Sequence, residues 1–177
     1  MQINGKSVLK WKGADEIATR VHEMAEELNA IYKPLEGQKI VVLGVLTGAF
    51  MFTADLCRHF KFDCLVDFIR VESYQDDKPG ELSIKSTPKY DLEDAHVIVV
   101  EDILDTGASL TRLKHHLQEQ RPHSLRFVVL VANTESKALD LVQPLNFGFK
   151  YDGKYILGYG LDSKELHRQL PDIWHFE

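Results

Sequence analysis

Cysteine is scarce in this sequence, where only Cys57 and Cys64 occur among 177 residues. A structural zinc site is usually built from four closely spaced ligands, and the sequence has no second cysteine pair to complete one. Apolar and aromatic residues flank both cysteines, which favours two buried thiols. The cysteine content therefore argues against a zinc-binding module.

Long hydrophobic runs are also missing. The longest apolar stretch covers residues 40–52, and Gly44 and Gly48 interrupt it, so it is too short to span a bilayer. Residues 1–12 lack the apolar core of a signal peptide. We therefore expect a cytoplasmic protein without a membrane segment.

The sequence has no excess of positive charge. It contains 21 Lys and Arg against 27 Asp and Glu, for a formal net charge of −6. This balance argues against nucleic acid as the main ligand. It does not exclude a phosphorylated small molecule, because a local cluster of amides, Lys and Mg²⁺ can override a weak global field. The chain also lacks the G-x-x-x-x-G-K-[ST] motif that a P-loop nucleotidase needs.

Apolar strands alternate with helical patterns along the chain. The predicted strands cover residues 40–46, 65–71, 96–100, 125–131 and, less regularly, 155–161. The predicted helices cover residues 15–33, 49–59 and a segment that carries Leu110, Leu113 and Leu117. The alternation predicts an α/β fold, a parallel twisted sheet flanked by helices, in a single domain over residues 1–177.

Ligands of such sheets bind beyond the carboxyl ends of the strands. Unusual loops stand at those ends: Thr47-Gly48, residues 101–109, and the segment after Val131. We therefore expect these loops to meet at one site. Residues 72–82 are polar and include Pro79 and Gly80, which predicts a mobile loop.

The segment 97–110 (VIVVEDILDTGASL) carries the chemistry. A buried strand delivers two carboxylates, Glu101 and Asp102, which suit the vicinal hydroxyls of a ribose, directly or through Mg²⁺. Residues 105–109 then lead into a helix, where backbone N–H groups favour an anion. Taken alone, the second feature is typical of an ordinary capped turn, and an acidic pair after a strand also occurs in phosphorylation receiver domains. The combination is more specific and outlines a sugar-phosphate site.

The same segment resembles the signature of the type I phosphoribosyltransferases, near their hypoxanthine-guanine branch. Further resemblances lie in Leu46-Thr47-Gly48, which matches the family's pyrophosphate loop, in Ser73-Tyr74, which matches the start of its catalytic loop, and in residues 155–162 (YILGYGLD), which match its base-binding segment. Arg168 matches a basic residue that contacts pyrophosphate in relatives.

The resemblance implies 5-phosphoribosyl-1-pyrophosphate and a purine base as substrates, with Mg²⁺ as the cofactor. It also implies a sheet core at about residues 36–132, a small hood formed by the termini (about 1–35 and 133–177), and a homodimer or homotetramer. The expected activity is purine salvage, which forms IMP or GMP and pyrophosphate from hypoxanthine or guanine.

Individual roles follow from the same resemblance. Asp105 is implied as the catalytic proton acceptor near N7 of the purine. The ribose and 5-phosphate would be bound by Glu101, Asp102, Thr106, Gly107, Ala108 and Ser109, and the pyrophosphate by Thr47, Gly48 and Arg168. Mg²⁺ would be bound by Glu101 and Asp102, with Asp162 in a second Mg²⁺ site. The base would lie between Ile103 and the ring of Tyr155, with the backbone of Ile156 at its edge. Gly48 would let pyrophosphate approach backbone amides, in a loop where a cis peptide is expected.

The sequence departs from the family pattern at two positions. Relatives usually place a lysine after the strand that ends near Val131, where it binds the 6-oxo group of the base. The matching position here is Asn133 or Thr134, and Lys137 follows a few residues later. Thr47 stands where relatives often have lysine. The base-binding role therefore falls to Asn133 or Lys137.

Other functions on the same fold stay open at this point. One is a regulatory nucleotide- or RNA-binding protein, which the negative net charge disfavours. Another is the same chemistry on xanthine, adenine or uracil, because an Asn amide both donates and accepts hydrogen bonds.

Overall fold

The structure is a computed structural model that describes residues 2–3, 5–73, 82–86, 88–136 and 138–177. Its strands, in chain order, are β1 (Gln2–Ile3), β2 (Lys6–Lys12), β3 (Ile40–Leu46), β4 (Leu65–Ser73), β5 (Leu82–Ile84), β6 (His96–Leu104), β7 (Ser124–Asn133), β8 (Asn146–Tyr151), β9 (Ile156–Leu157) and β10 (Ile173–Phe176). Its α-helices are α1 (Ala14–Tyr32), α2 (Phe50–Cys57), α3 (Ala108–Gln118) and α4 (Ala138–Val142). None of these described helices combines the length and the apolar character needed to cross a membrane.

A central sheet with the strand order β5-β4-β3-β6-β7-β8 organises the molecule. Its neighbouring strands are parallel except β5, which runs antiparallel to β4. Alternate residues of β3 and β6 pack into two core layers, one under α1 and α2 and the other under α3. Burial on both faces explains why these strands are continuous apolar runs. The predicted parallel sheet flanked by helices is confirmed.

A terminal sheet joins the two ends of the chain, in the order β1-β2-β10-β9 with antiparallel pairing. This arrangement agrees with a hood formed by the termini. Helix α1 belongs to the core of the central sheet, because Ile17 and Met24 pack in one cluster with Val42 and Phe52. The division of the chain into core and hood at particular residues stays a prediction.

The structure corrects two of the predicted strands. β6 continues to Leu104 instead of ending at Val100, because its pairing with β7 extends as far as Leu104 and Ala132. The strand predicted over residues 155–161 is limited to Ile156–Leu157. It ends because positive φ angles at the three following residues turn the chain back, and Gly158 pairs with Leu161.

The two cysteines are free, and each is only partly buried, whereas we predicted that both thiols are buried. Both lie at the edge of the core beneath α1 and α2. Burial raises the pKa of Cys57 to about 12 and also raises the pKa of Cys64. Because the thiolate is the reactive form, neither thiol is suited to nucleophilic chemistry at neutral pH.

Candidate active site

The acidic pair lies on a part of β6 that is open on one side. Pairing of β6 with β3 ends at Val100, whereas pairing with β7 continues to Leu104. Glu101 and Asp102 follow directly after Val100 and are 9% and 8% exposed. Both side chains line the same cavity. The strand thus brings two adjacent acidic residues to one cavity at the point where its pairing with β3 ends.

Electrostatically, the pair is a buried cluster of like charge. Burial raises the pKa of Glu101 well above its ordinary value, and the neighbouring Asp102 carboxylate raises it further. Backbone N–H groups compensate locally: Asp102 N donates to Glu101 Oε1 and Ile103 N donates to Asp102 Oδ1, each at 3.0 Å. A site of this kind favours a ligand that brings hydroxyl donors or a cation.

The loop after β3 (the 46–48 loop) packs directly on Asp102. The peptide bond between Leu46 and Thr47 is cis, as expected for this loop. A Cβ atom added at Gly48 would lie 2.5 Å from Asp102 Cγ and closer still to Oδ2. Gly160 packs on the other side, against the backbone of Gly48. A side chain at position 48 would therefore force the Asp102 carboxylate or the loop to move.

The turn over residues 105–109 leads from β6 into α3. Gly107 is the N-cap residue with φ 69°, and no side chain caps the helix, which starts with the bond from Thr111 N to Gly107 O at 2.9 Å. The first amides of a helix have no partner within the helix, and the helix dipole makes this end positive. Thr106, Ala108 and Ser109 are exposed. The turn can therefore donate several N–H and O–H groups to an anion.

Arg168 is held over the cavity by acceptors from the segment after β9. Nη1 donates to Gly160 O at 2.8 Å, and Nη2 lies 2.8 Å from Asp162 Oδ1 and 3.1 Å from Glu165 Oε2. The Arg168 side chain is 18% exposed and that of Asp162 is 28% exposed. These three contacts hold the positive charge of the guanidinium at one position in the lining of the cavity.

The predicted base-binding residues lie beside this cavity. Ile103 lines it, whereas Tyr155 lines a neighbouring one with Lys6 and Phe176. The ring of Tyr155 is 55% exposed, and its hydroxyl donates to Asp162 O at 3.0 Å. Ile156 is 6% exposed and lies in β9. The ring of Tyr155 lies near that of Phe176, with 5.7 Å between the ring centroids and 50° between the ring planes.

Asn133, predicted to bind the base, instead contacts Asp105 in this structure. Asn133 ends β7, and its Nδ2 donates to Asp105 Oδ1 at 3.0 Å. The bond joins the ends of two neighbouring parallel strands. Asp105, which accepts this hydrogen bond from Asn133, is the residue that we predicted to be catalytic.

A cavity of about 420 Å³ brings seven of the predicted site residues together, although Asp105 does not line it. Its lining includes Gly48, Glu101, Asp102, Ile103, Ser109, Asp162 and Arg168. Thr47 and Arg168 line an adjoining cavity of about 590 Å³. The loops after β3 and β6 therefore converge, and the Asn133–Asp105 bond brings in the end of β7.

The structure says little about three of the predicted site residues, Ser73, Tyr74 and Lys137. Tyr74, most of the loop predicted over residues 72–82, and Lys137 lie outside the described residues. Ser73 ends β4, whose backbone pairs with β5 through Leu82. The catalytic-loop assignment of Ser73 and Tyr74 and the base-binding assignment of Lys137 stay predictions.

The sequence reasoning missed Gly160 and Glu165. Gly160 contacts Gly48 and accepts a hydrogen bond from Arg168, while Glu165 contacts the same guanidinium. The only sequence signal was the G-x-G spacing of Gly158 and Gly160, which lies inside the segment that we predicted to be a strand. These contacts join residues more than a hundred positions apart, or depend on a turn with unusual φ angles.

Comparison with known proteins agrees with this geometry. The family model described as phosphoribosyl transferase domain matches residues 13–151. The chain belongs to the phosphoribosyltransferase family.

Two curated relatives and one solved structure indicate the branch of the family to which this chain is similar. The hypoxanthine-guanine-xanthine phosphoribosyltransferase of Tritrichomonas foetus is 39% identical over 162 residues, which are 90% of this chain and 86% of that protein. The hypoxanthine-guanine phosphoribosyltransferase of Aquifex aeolicus is 34% identical over 99% of this chain and 98% of its own length. A solved structure of Trypanosoma cruzi hypoxanthine phosphoribosyl transferase superposes with a TM-score of 0.89 at 31% identity, and the match covers 100% of this chain and 95% of that one. The chain thus resembles the 6-oxopurine enzymes of the family over nearly its whole length.

Proposed function

We propose that this protein is a purine-salvage enzyme that converts hypoxanthine or guanine and 5-phosphoribosyl-1-pyrophosphate to IMP or GMP and pyrophosphate. The observation that carries the proposal is the cavity that joins the acidic pair, the 46–48 loop and the 105–109 turn. The names of the relatives support the choice of base. Xanthine is included in the name of the Tritrichomonas foetus relative, so it is a further candidate substrate.

The sugar phosphate would be bound by the two ends of the β6–α3 connection. Carboxylates of Glu101 and Asp102 accept hydrogen bonds from the ribose 2- and 3-hydroxyls. The amides of residues 106–109, with the hydroxyls of Thr106 and Ser109, donate to the 5-phosphate at the positive end of α3.

The leaving pyrophosphate would lie between the 46–48 loop and Arg168. Backbone N–H groups of Thr47 and Gly48 would donate hydrogen bonds to it. The guanidinium of Arg168 then stabilises the negative charge that develops as the bond from ribose C1 to pyrophosphate breaks.

The residues present fit a magnesium ion that is bound jointly with the substrate. Among the described residues, no three His, Cys, Asp or Glu side chains are grouped closely enough to hold a metal ion by themselves. Mg²⁺ commonly uses one or two carboxylates and takes its other ligands from water and substrate phosphates. Glu101 and Asp102 would hold it, Asp162 would take part in a second Mg²⁺ site, and bound Mg²⁺ would neutralise charge on the pyrophosphate.

Asp105 would act on the base. As a purine ring nitrogen attacks C1 of the ribose, the base becomes acidic, and the carboxylate of Asp105 accepts the proton from N7. The base would pack between Ile103 and the ring of Tyr155, with the backbone of Ile156 at its edge. Closed packing around the reacting atoms excludes water from an oxocarbenium-like transition state.

The proposal is tested by Mg²⁺-dependent release of pyrophosphate from 5-phosphoribosyl-1-pyrophosphate, with hypoxanthine, guanine, xanthine, adenine and uracil compared side by side. We expect turnover with hypoxanthine or guanine and loss of turnover with excess EDTA. Turnover with adenine or uracil alone would overturn the base assignment. Silence with all five bases, in a folded protein that binds the sugar donor and RNA, would favour a regulatory function instead.

Replacing Arg168 tests the pyrophosphate site. Arg168→Lys keeps the charge but loses the planar fork that joins Gly160 O and Asp162 Oδ1. We expect the KM for pyrophosphate in the reverse reaction to rise about tenfold. Glu165→Gln is the matched control, because Glu165 is 83% exposed and contacts the same guanidinium from outside. Equal effects of both changes would contradict a direct role of Arg168.

Replacing Tyr155 tests stacking on the base. Tyr155→Ala should weaken base binding by about 1–3 kcal/mol, the usual range for a base on an aromatic ring. Tyr155→Phe removes the hydrogen bond to Asp162 O but keeps the ring, so it should retain most of the affinity. Isothermal titration with GMP or IMP measures both variants. An unchanged affinity of the alanine variant would show that Tyr155 does not contact the base.

We further propose a cytoplasmic location and a homodimer or homotetramer. Free cysteines are typical of a reducing compartment, which supports the first part. The Trypanosoma cruzi structure comes from work on how the C-terminal region of that enzyme affects its oligomeric state, which supports assembly as a property to test here. Sedimentation equilibrium measures the state directly.

A further inference from the structure

The side-chain amide of Asn133 forms hydrogen bonds through both its nitrogen and its oxygen. Nδ2 of Asn133 donates to Asp105 Oδ1 at 3.0 Å, and Oδ1 of Asn133 accepts from Glu135 N at 3.1 Å. The backbone N–H of Glu135 can only donate, so the amide must present its oxygen there. The NH₂ group is therefore directed at Asp105.

The two residues are also fixed by the strands that carry them. In the β6–β7 ladder Leu104 pairs with Ala132, so the next residues of the two strands, Asp105 and Asn133, are neighbours. Asn133 is in turn paired with Tyr151 of β8. Asp105 directly follows β6 and Asn133 ends β7, so the pairing of these two strands sets the spacing between the amide and the carboxylate.

The surroundings of Asp105 include further charged and titratable groups. Tyr151 faces it from β8: the pKa of Tyr151 is raised by burial first, and then by the charges of Asp105 and Asp152. The Tyr151 hydroxyl donates to Lys154 O, so its hydrogen is directed away from Asp105. The amide of Asn133 therefore supplies the hydrogen bond that orients the carboxylate in this structure.

We infer that Asn133 is a positioning residue for Asp105 and not a reader of the base. By holding Oδ1, the amide turns the carboxylate so that Oδ2 faces the base and accepts its proton. The inference rests on the proposed function of Asp105. It assigns a use to the residue that stands where relatives usually have the lysine for the 6-oxo group.

The test replaces Asn133 with a group of the same shape. Asn133→Asp keeps the acceptor for Glu135 N but removes the donor to Asp105 and places a second carboxylate at 3.0 Å. We expect kcat with hypoxanthine to fall about tenfold or more near neutral pH. The KM for 5-phosphoribosyl-1-pyrophosphate should change less than about twofold, since uniform substrate binding is untouched.

The pH profile separates positioning from a loss of structure. A proton-accepting carboxylate must be ionised, so activity rises with pH as that group loses its proton. A second carboxylate at hydrogen-bond distance favours the protonated form, and the rising limb should move to higher pH by about one unit. Asn133→Ser, which can still donate, should move the limb less than Asn133→Asp.

Asn146→Asp is the matched control. Asn146 begins β8, and its Nδ2 donates to Glu27 Oε2 at 2.8 Å, so the change creates the same kind of carboxylate pair away from the cavity. The control should leave kcat and the pH profile at wild-type values. An Asn133→Asp enzyme with wild-type kcat and an unmoved pH profile would overturn the inference. So would a rise in the KM for the base alone, which would make Asn133 a base-binding residue.

A double substitution distinguishes this inference from the proposed function. With Asp105→Asn in place, Asn133→Asp should cost little further activity, because the carboxylate that it positions is gone. Failure of Asp105→Asn to slow turnover would refute the proposed role of Asp105. A slow Asp105→Asn enzyme, slowed again by the full Asn133→Asp factor, would refute the positioning role alone.

Discussion

Asp105→Asn should lower kcat with hypoxanthine by about 10²–10⁴-fold and leave binding of 5-phosphoribosyl-1-pyrophosphate nearly unchanged. The amide has the shape of the carboxylate, and its oxygen can still accept from Asn133, so the turn should keep its geometry. What is lost is the group that takes the proton from the base. Steady-state rates with saturating substrates measure kcat, and calorimetry with the sugar donor measures the binding.

Asp91→Asn is a suitable control for this substitution. Asp91 lies before β6 at the opposite end of the strand and accepts a hydrogen bond from Glu93 N at 3.1 Å. The control should keep wild-type kcat. Loss of sugar-donor binding in Asp105→Asn, with an unchanged rate at saturation, would show that Asp105 binds the ribose phosphate instead of acting on the base.

The sequence was sufficient to predict the parts of the fold that depend on local pattern. Continuous apolar runs predicted β3 with the observed bounds and the helical spacing predicted α1 within one residue. The acidic pair and the 105–109 turn were found because small residues before a helix and carboxylates after an apolar strand are adjacent in sequence. These features lie within about a dozen residues of one another, so a linear reading can detect them.

The end of β6 was not predictable in the same way. Glu101 and Asp102 are polar, and a pattern of residues assigns polar positions after an apolar run to a loop. The strand continues because β7 supplies pairing partners on one side as far as Ala132, while pairing with β3 on the other side ends at Val100, although β3 itself runs on to Leu46. That difference depends on the pairing of two other strands, and the carboxylates that follow the last pair with β3 line the cavity.

The role of Asn133 shows the same limit at the level of a side chain. Position in the sequence suggested a replacement for a base-binding lysine, because the residue follows β7. The register of β6 against β7 places it beside Asp105 instead, with its amide already bonded on both sides. Base binding by Asn133 therefore stays a prediction, and the KM for the base in the Asn133→Asp enzyme tests it.

Gly48→Ala should lower kcat/KM for 5-phosphoribosyl-1-pyrophosphate by about 10²-fold or more. The added Cβ would lie 2.5 Å from Asp102 Cγ, so either the carboxylate or the 46–48 loop must move. Both lie on the same cavity, and moving either one separates the ribose site from the pyrophosphate site. Steady-state kinetics in both reaction directions should show the loss with the sugar donor and with pyrophosphate.

Gly13→Ala is the matched control for this last substitution. Gly13 has φ −80°, which alanine adopts freely, and the nearest atom to an added Cβ is Asp172 Oδ1 at 4.0 Å. The control should keep the wild-type kcat/KM, and thermal unfolding should show that both variants are folded. A folded Gly48→Ala enzyme with wild-type kcat/KM would mean that Asp102 can move without cost to the sugar donor. The acidic pair would then not bind the ribose in the way that the cavity indicates.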